Sequence, residues 1–364
     1  MADPNTSTFS PQPQIDALMI EFMENYGVPG GALSFRRGGT LLYEAGYGFA
    51  DQNLNVVTTT SLFRIASDTK AITAAAIFLL MERGKLALNS TVFDTNGLLS
   101  QFSGFGSPSG WVPLITVHEL LTHTSGGWPN DANDPMFQKP ELSTDELIIW
   151  ALQTYPLQNP PGSSYAYSNF GYCVLGRIIE EITGQTYEAF VQDNVLSPIG
   201  ITDMMIGAIA PQPNEVHYFM PDGQDQNEPY SFNITRMAAH GGWIASAGDQ
   251  AQFMAGLFGA LDDEGSSVIL TRSSLELLLS CTSASIASPS GAYGCGLAFN
   301  NGGNAWHTGS LPGTTSIQVH TGTGMTWGAV LNIRNEDNDN ALATALDNML
   351  WAMARTVSSW NVDG

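Results

Sequence analysis

The chain has 364 residues, 43% of them hydrophobic, enough to bury a large core and to divide into two packed lobes. Its 12 Lys and Arg against 34 Asp and Glu give a formal net charge of −22, which repels phosphate backbones and anionic lipid surfaces alike. Nucleic acid is therefore not an expected partner, and the acidity reads as a solvated surface.

Ile15, Leu18, Met19, Phe22, Met23 and Tyr26 recur at helical spacing and stop before Gly27 and Pro29, which predicts an opening amphipathic helix. Two strands are expected next, over 31–37 and 40–49, joined by Gly38-Gly39, a dipeptide that tolerates the positive φ of a tight hairpin. From Ser67 to Arg83 the residues are good helix formers and apolar on every side, so this helix should be buried, ending at Gly84. Residues 91–213 mix helical segments with Pro- and Gly-rich loops, including Trp128 to Pro140 and Asn159-Pro160-Pro161-Gly162. Within them Tyr172, Leu175, Ile179 and Ile182 form one stripe that stops at Gly184. Strand-like runs return over 293–300, 305–308, 314–320 and 325–333, and Leu342, Leu346, Met349, Leu350 and Met353 mark a last helix. The expected layout is α/β (α+β): an antiparallel sheet flanked by the N- and C-terminal helices, residues 1–90 and 214–364, with a mostly helical domain, 91–213, inserted between.

Cys173, Cys281 and Cys295 are too few for a disulfide framework and show no C-x-x-C spacing, so they read as buried small side chains, with pairing of Cys281 and Cys295 left open. The run Ala71 to Met81 soon meets Glu82 and Arg83, so no membrane span is expected. The first residues show no basic region followed by an apolar run, so no signal peptide is read. A secreted or periplasmic protein after processing stays open, and the sequons at Asn5, Asn89 and Asn233 would then be glycan acceptors.

Ser67-Asp68-Thr69-Lys70 opens the buried helix, and residues three apart on a helix share a face, so the Lys70 amine can approach the Ser67 hydroxyl. Burying a lysine is costly unless it loses its proton or gains a partner, and a depressed pKa suits a base. The chain has only three lysines, and Lys70 is the one preceded by serine at this spacing. Tyr167-Ser168-Asn169 is read as a tight turn before the Tyr172 helix. The tyrosine can be held as phenolate or share a proton, and the asparagine offers a substrate amide both a donor and an acceptor. His307-Thr308-Gly309, followed by Ser310, lies on a late strand, where a small glycine at a sheet edge admits a substrate backbone. A second His-Thr-Gly at His320 reads as hairpin punctuation.

Other patterns fail on spacing. His118 and His123 are five apart, whereas a zinc-protease helix needs four, so no metal is expected; Gly46-Tyr47-Gly48 lacks a third glycine and no cofactor is expected; and no G-x-S-x-G elbow occurs.

In this order the three motifs resemble those of the penicillin-binding protein and class C β-lactamase family, and Leu120 to Gly127, Tyr167 to Gly184 and Ser197 to Met204 are similar to stretches of that group. The resemblance implies an α/β sandwich made from both chain ends with an all-helical lobe between. It implies acylation of Ser67, proton movement by Lys70 and Tyr167, and binding of the substrate amide by Asn169. It also places His307 where many β-lactamases carry lysine, with Thr308 and Gly309 beside it. Backbone N–H groups of Ser67 and Ser310 would form the oxyanion hole. The expected activity is a serine hydrolase acting on an ester, a D-amino-acid peptide or amide or, behind these, a β-lactam, with a small molecule or peptide as substrate. Alternatives are an acyltransferase using the same acyl-enzyme and a non-catalytic relative that binds partners. Oligomeric state is not read.

Overall fold

A computed structural model describes residues 12–106, 110–262, 269–280, 291–335 and 341–356. In chain order the elements are α1 (Pro13–Tyr26), β1 (Gly30–Arg37), β2 (Thr40–Gly48), β3 (Phe63–Arg64), α2 (Thr69–Glu82), α3 (Val117–Leu121), α4 (Thr144–Thr154), α5 (Asn169–Thr183) and α6 (Tyr187–Val191). They continue with β4 (Met205–Ile206), α7 (Ala238–Gly241), β5 (Trp243–Ala245), α8 (Ala247–Asp262), α9 (Arg272–Leu278), β6 (Ala292–Tyr293), β7 (Ala298–Phe299), β8 (Ala305–Leu311), β9 (Thr314–His320), β10 (Met325–Leu331) and α10 (Ala341–Thr356).

The main sheet is antiparallel with strand order β2-β1-β10-β9-β8-β7-β6. Gly38 and Gly39 turn the first hairpin with φ of 52° and 78°, values a β-branched residue would resist. Pro13 sits in the first turn of α1, and Gly27 caps its end in the left-handed region. Ile15, Met19 and Phe22 of α1 and Leu342, Leu346, Leu350 and Met353 of α10 are buried in one cluster with Phe35, Tyr47 and Trp327 of the sheet. The two chain ends therefore cover one face of it. On the other face α8 lies so close to β10 that a Cβ on Gly328 would stand 2.6 Å from the Ala247 carbonyl oxygen.

A second cluster runs without interruption from the sheet through α2, α3, α4, α5 and α6. Helix α2 sits inside it, with Lys70 through Phe78 buried. One detail departs from a purely helical middle segment. Met205–Ile206, within 91–213, pairs with β5, which in turn pairs with β3 in a small antiparallel sheet. Backbone pairing thus ties the middle of the chain to the strand that leads into Ser67. His320 also departs from its reading as punctuation: it is the last residue of β9, buried, its ring stacked 3.9 Å from that of Phe258 on α8. Cys281 lies outside the described residues, while Cys173 and Cys295 are buried as expected. Among the described residues, no helix is long and apolar enough to cross a membrane.

Candidate active site

β3 delivers the chain into a 3₁₀ turn, Ala66–Asp68, and the α-helix proper begins only at Thr69. Ala66 adopts φ of 45°, a left-handed conformation that costs an L-residue about 1–2 kcal/mol. Two contacts hold it there: the Ile65 N–H donates to the Trp243 carbonyl at 3.1 Å, and the Ile65 carbonyl accepts from Ser316 Oγ at 2.8 Å. Ser67 consequently projects into a cavity of about 820 Å³ whose wall includes Asn130, Asn169, Phe232, Met237 and Ser310. The loops Trp128 to Pro140 and Gln212 to Tyr230 both contribute to that wall, through Asn130, Asp131, Ala132 and Phe137 and through Glu228.

Lys70 is fully buried one helical turn beyond Ser67. Its Nζ lies 3.0 Å from Ser67 Oγ, 2.8 Å from Asn169 Oδ1 and 2.8 Å from the His240 carbonyl oxygen. The last two can only accept. A neutral amine has two protons to give them and a lone pair left for the Ser67 hydroxyl. Burial drives the Lys70 pKa down to about 7, opposed by the charges of Asp134 and Asp68.

Tyr167 and Asn169 do not sit on a tight turn. Tyr167 lies in a segment without regular secondary structure, and Ser168, with φ −133° and ψ 114°, caps α5 by accepting from the Gly171 N–H at 3.1 Å. The stretch Leu120 to Gly127 shapes this segment. The Ser168 N–H donates to His123 Nδ1 at 3.0 Å, the Ala166 N–H to the His123 carbonyl at 2.8 Å, and the His123 ring lies 4.3 Å from that of Tyr167. The Tyr167 ring stands 4.8 Å from Lys70 Nζ, and the Ser67 hydroxyl works against burial in setting the Tyr167 pKa. Burial raises the Tyr167 pKa, which disfavours a resting phenolate.

Asn169 is already engaged. Its Oδ1 accepts from Lys70, and its Nδ2 donates to Asn130 Oδ1 at 3.1 Å and to Asp134 Oδ2 at 2.8 Å. Both amide protons are thus committed inside the protein.

His307 is buried and turned toward Tyr293 and Asp68. Its Nδ1 lies 2.8 Å from the Thr308 carbonyl oxygen, so that nitrogen carries the proton, while Nε2 accepts from Tyr293 Oη at 3.1 Å. Burial, aided by the Lys70 charge, lowers its pKa to about 3, so it is neutral. Asp68 Oδ1 lies 3.7 Å from Nδ1, and burial raises the Asp68 pKa well above the carboxylate range. Thr308 faces solvent. Gly309 is required by packing, because a Cβ there would stand 2.1 Å from the Ile65 carbonyl oxygen. β7 pairs only with Ala305 and Trp306, so among the described residues no strand covers the edge of β8 away from β9 from His307 to Leu311, and Ser310 faces the cavity.

Motif reading missed Asp134, Asn130 and the His240 carbonyl. An Asp or Asn in a loop is ordinarily a turn residue, and a carbonyl carries no sequence signature. Only the folding of distant segments onto Lys70 marks them.

The beta-lactamase family model matches residues 15–348. The chain belongs to the beta-lactamase family. Proteins similar to it include the protein flp of Staphylococcus aureus, 31% identical over 194 residues, 52% of this chain and 37% of that protein. Esterase EstB of Burkholderia gladioli is 30% identical over 273 residues, 69% of this chain and 67% of the esterase. The chain thus spans well under half the length of flp. Its fold is similar to that of the D-amino acid amidase of Ochrobactrum anthropi SV3, with TM-score 0.75 at 23% identity, covering 95% of this chain and all of the amidase chain. The antiparallel sheet flanked by terminal helices agrees with the layout expected from sequence.

Proposed function

We propose that this member of the beta-lactamase family is a serine hydrolase that cleaves esters or amides through an acyl-enzyme on Ser67. The observation that carries the proposal is the Lys70 amine, buried, with two acceptor-only partners and the Ser67 hydroxyl at 3.0 Å. Lys70 takes the Ser67 proton as Oγ attacks the carbonyl carbon, and the bond to the leaving group breaks as the proton passes to it. Tyr167, a neutral phenol whose ring lies 4.8 Å from Lys70 Nζ, carries that proton. Water then repeats the attack, releases the acid and returns the proton to Ser67. Ser67 and Ser310, both in the cavity wall, are the residues whose N–H groups we assign to the developing oxyanion, a contribution typically worth about two to three orders of magnitude in rate. The similar esterase and amidase support ester or amide chemistry. A neutral His307 offers no cation to a substrate carboxylate, which favours uncharged esters and amides over β-lactams.

We also propose a division of the chain, with residues 1–90 and 214–364 as the sheet lobe and 91–213 as the helical lobe, Ser67 coming from one and Asn169 from the other.

Incubation with a fluorophosphonate followed by peptide mass spectrometry should find one adduct, on the peptide containing Ser67. Lys70→Ala should slow labelling by about 10²–10⁴-fold. Labelling that persists in Ser67→Ala would overturn the proposal.

A further inference from the structure

We propose that Asp134 is a positioning residue for the base: its buried carboxylate fixes the Asn169 amide so that the amide oxygen, rather than its NH₂, faces Lys70. The inference rests on the proposed role of Lys70 and extends it to a residue outside the three motifs.

Asp134 is fully buried, contributes nothing to the cavity wall and has both oxygens engaged. Oδ1 accepts from the Met136 N–H at 2.9 Å, which caps a 3₁₀ turn, and Oδ2 accepts from Asn169 Nδ2 at 2.8 Å. An ionised carboxylate can only accept, so it admits a single orientation of the amide. Asn130 Oδ1 takes the other amide proton. Were the amide reversed, its NH₂ would face the Lys70 protons and its oxygen would face two acceptors. The chain Asp134, Asn169, Lys70, Ser67 is then a line of hydrogen bonds from a buried charge to the nucleophile.

Asp134 also acts on the Lys70 charge. The other titratable groups around that amine are Asp68 from its own turn, His123 from the loop after α3, Tyr167 just before α5, Tyr172 on α5, His240 from α7 and His307 from β8. Burial keeps the three histidines and both tyrosines neutral and raises Asp68 well above the carboxylate range. Asp134, pushed by burial only to about 6, is the acid with the larger hold on Lys70.

The test exploits the presence of only three lysines, Lys70, Lys85 and Lys139. Labelling the lysine side-chain ε-carbon with ¹³C gives one NMR signal per lysine, and a Lys70→Ala sample identifies the Lys70 signal by its loss. Two variants remove the Asp134 charge: Asp134→Asn, and Asp134→Ser, which keeps an oxygen to cap the Met136 N–H if the first fails to fold. Either should move the Lys70 titration midpoint down by about one pH unit, from Coulomb attraction at an effective dielectric of about 20. The limb of kcat/KM that reports Lys70 should move with it. The loss of about 10- to 100-fold should fall on kcat rather than KM, since Asp134 does not touch the cavity. An unmoved Lys70 signal in the folded variants overturns the inference. A signal that moves while the rate limb and kcat stay still shows only charge coupling between Asp134 and Lys70, and overturns both the positioning role and Lys70 as the kinetic base.

Discussion

Lys70 and Gly309 show how single residues carry this site. With the pKa of Lys70 driven down to about 7, the neutral amine proposed as base is lost as pH falls. For kcat/KM the sign is therefore a rise with pH through about 7, falling about tenfold per unit on the acid side; a profile flat across about pH 5 to 8 would count against Lys70. Gly309 has a different task. Its missing side chain admits the Ile65 carbonyl, two residues before Ser67, and the Ser316 hydroxyl that holds this carbonyl, so a Cβ would meet each at 2.1 Å. Ser316 can rotate, but the backbone cannot. Gly309→Ala should therefore destabilise by about 1–3 kcal/mol, visible in denaturant unfolding, and should lower kcat by displacing the turn that carries Ser67.

At the scale of elements, two arginines bind the long loops to the frame. Arg236, just before α7, donates from one nitrogen to the carbonyls of Lys139 and Leu142 and from the other to those of Met136 and Gln138. These four carbonyls belong to the loop that carries Asp134. Arg64 on β3 is buried, pairs with Glu215 at 3.6 Å, donates to the Pro229 carbonyl and lies 4.4 Å beneath the Tyr218 ring, holding the segment that brings Glu228 and Phe232 to the cavity. The planar guanidinium fork suits carbonyls spread over one loop, whereas an ammonium is a point donor. Arg236→Lys should thus lower kcat/KM by about tenfold or more and stability by about 1–3 kcal/mol, read by steady-state kinetics and chemical denaturation. An unchanged kcat/KM would mean that the loop holds its shape without the clamp. Neither arginine stands in a motif, so neither was legible from sequence.

Across the whole molecule the net charge of −22 sets a self-repulsion that a compact state concentrates. Salt screens it, with a Debye length of about 10 Å at 0.1 M, so Tm should rise as sodium chloride is added to dilute buffer. A falling Tm would show that attractive ion pairs, such as Arg177 with Asp145 at 2.7 Å, outweigh the repulsion.

The elements were legible along the chain because their causes are local. The stripe Ile15, Met19, Phe22 and the cap Gly27 define α1 without reference to anything beyond it, and the Ser67 to Lys70 spacing already places a hydroxyl and an amine on one face. The family was likewise readable from the motifs and their order. Other features depended on segments far apart in sequence. The partners of Lys70, Asn169 and the His240 carbonyl, lie 99 and 170 positions away, and the carboxylate that orients Asn169 lies 35 from it. Which protonation state Lys70, Tyr167 and His307 adopt follows from burial and from those distant neighbours. The sequence alone pointed to Ser67 and Lys70 as the proposed nucleophile and base, whereas only tertiary packing decided that the amine is poised near neutrality, that the tyrosine is a phenol and that Asn169 faces inward. Desolvation and hydrogen-bond geometry belong to the folded chain and have no counterpart in the order of its residues.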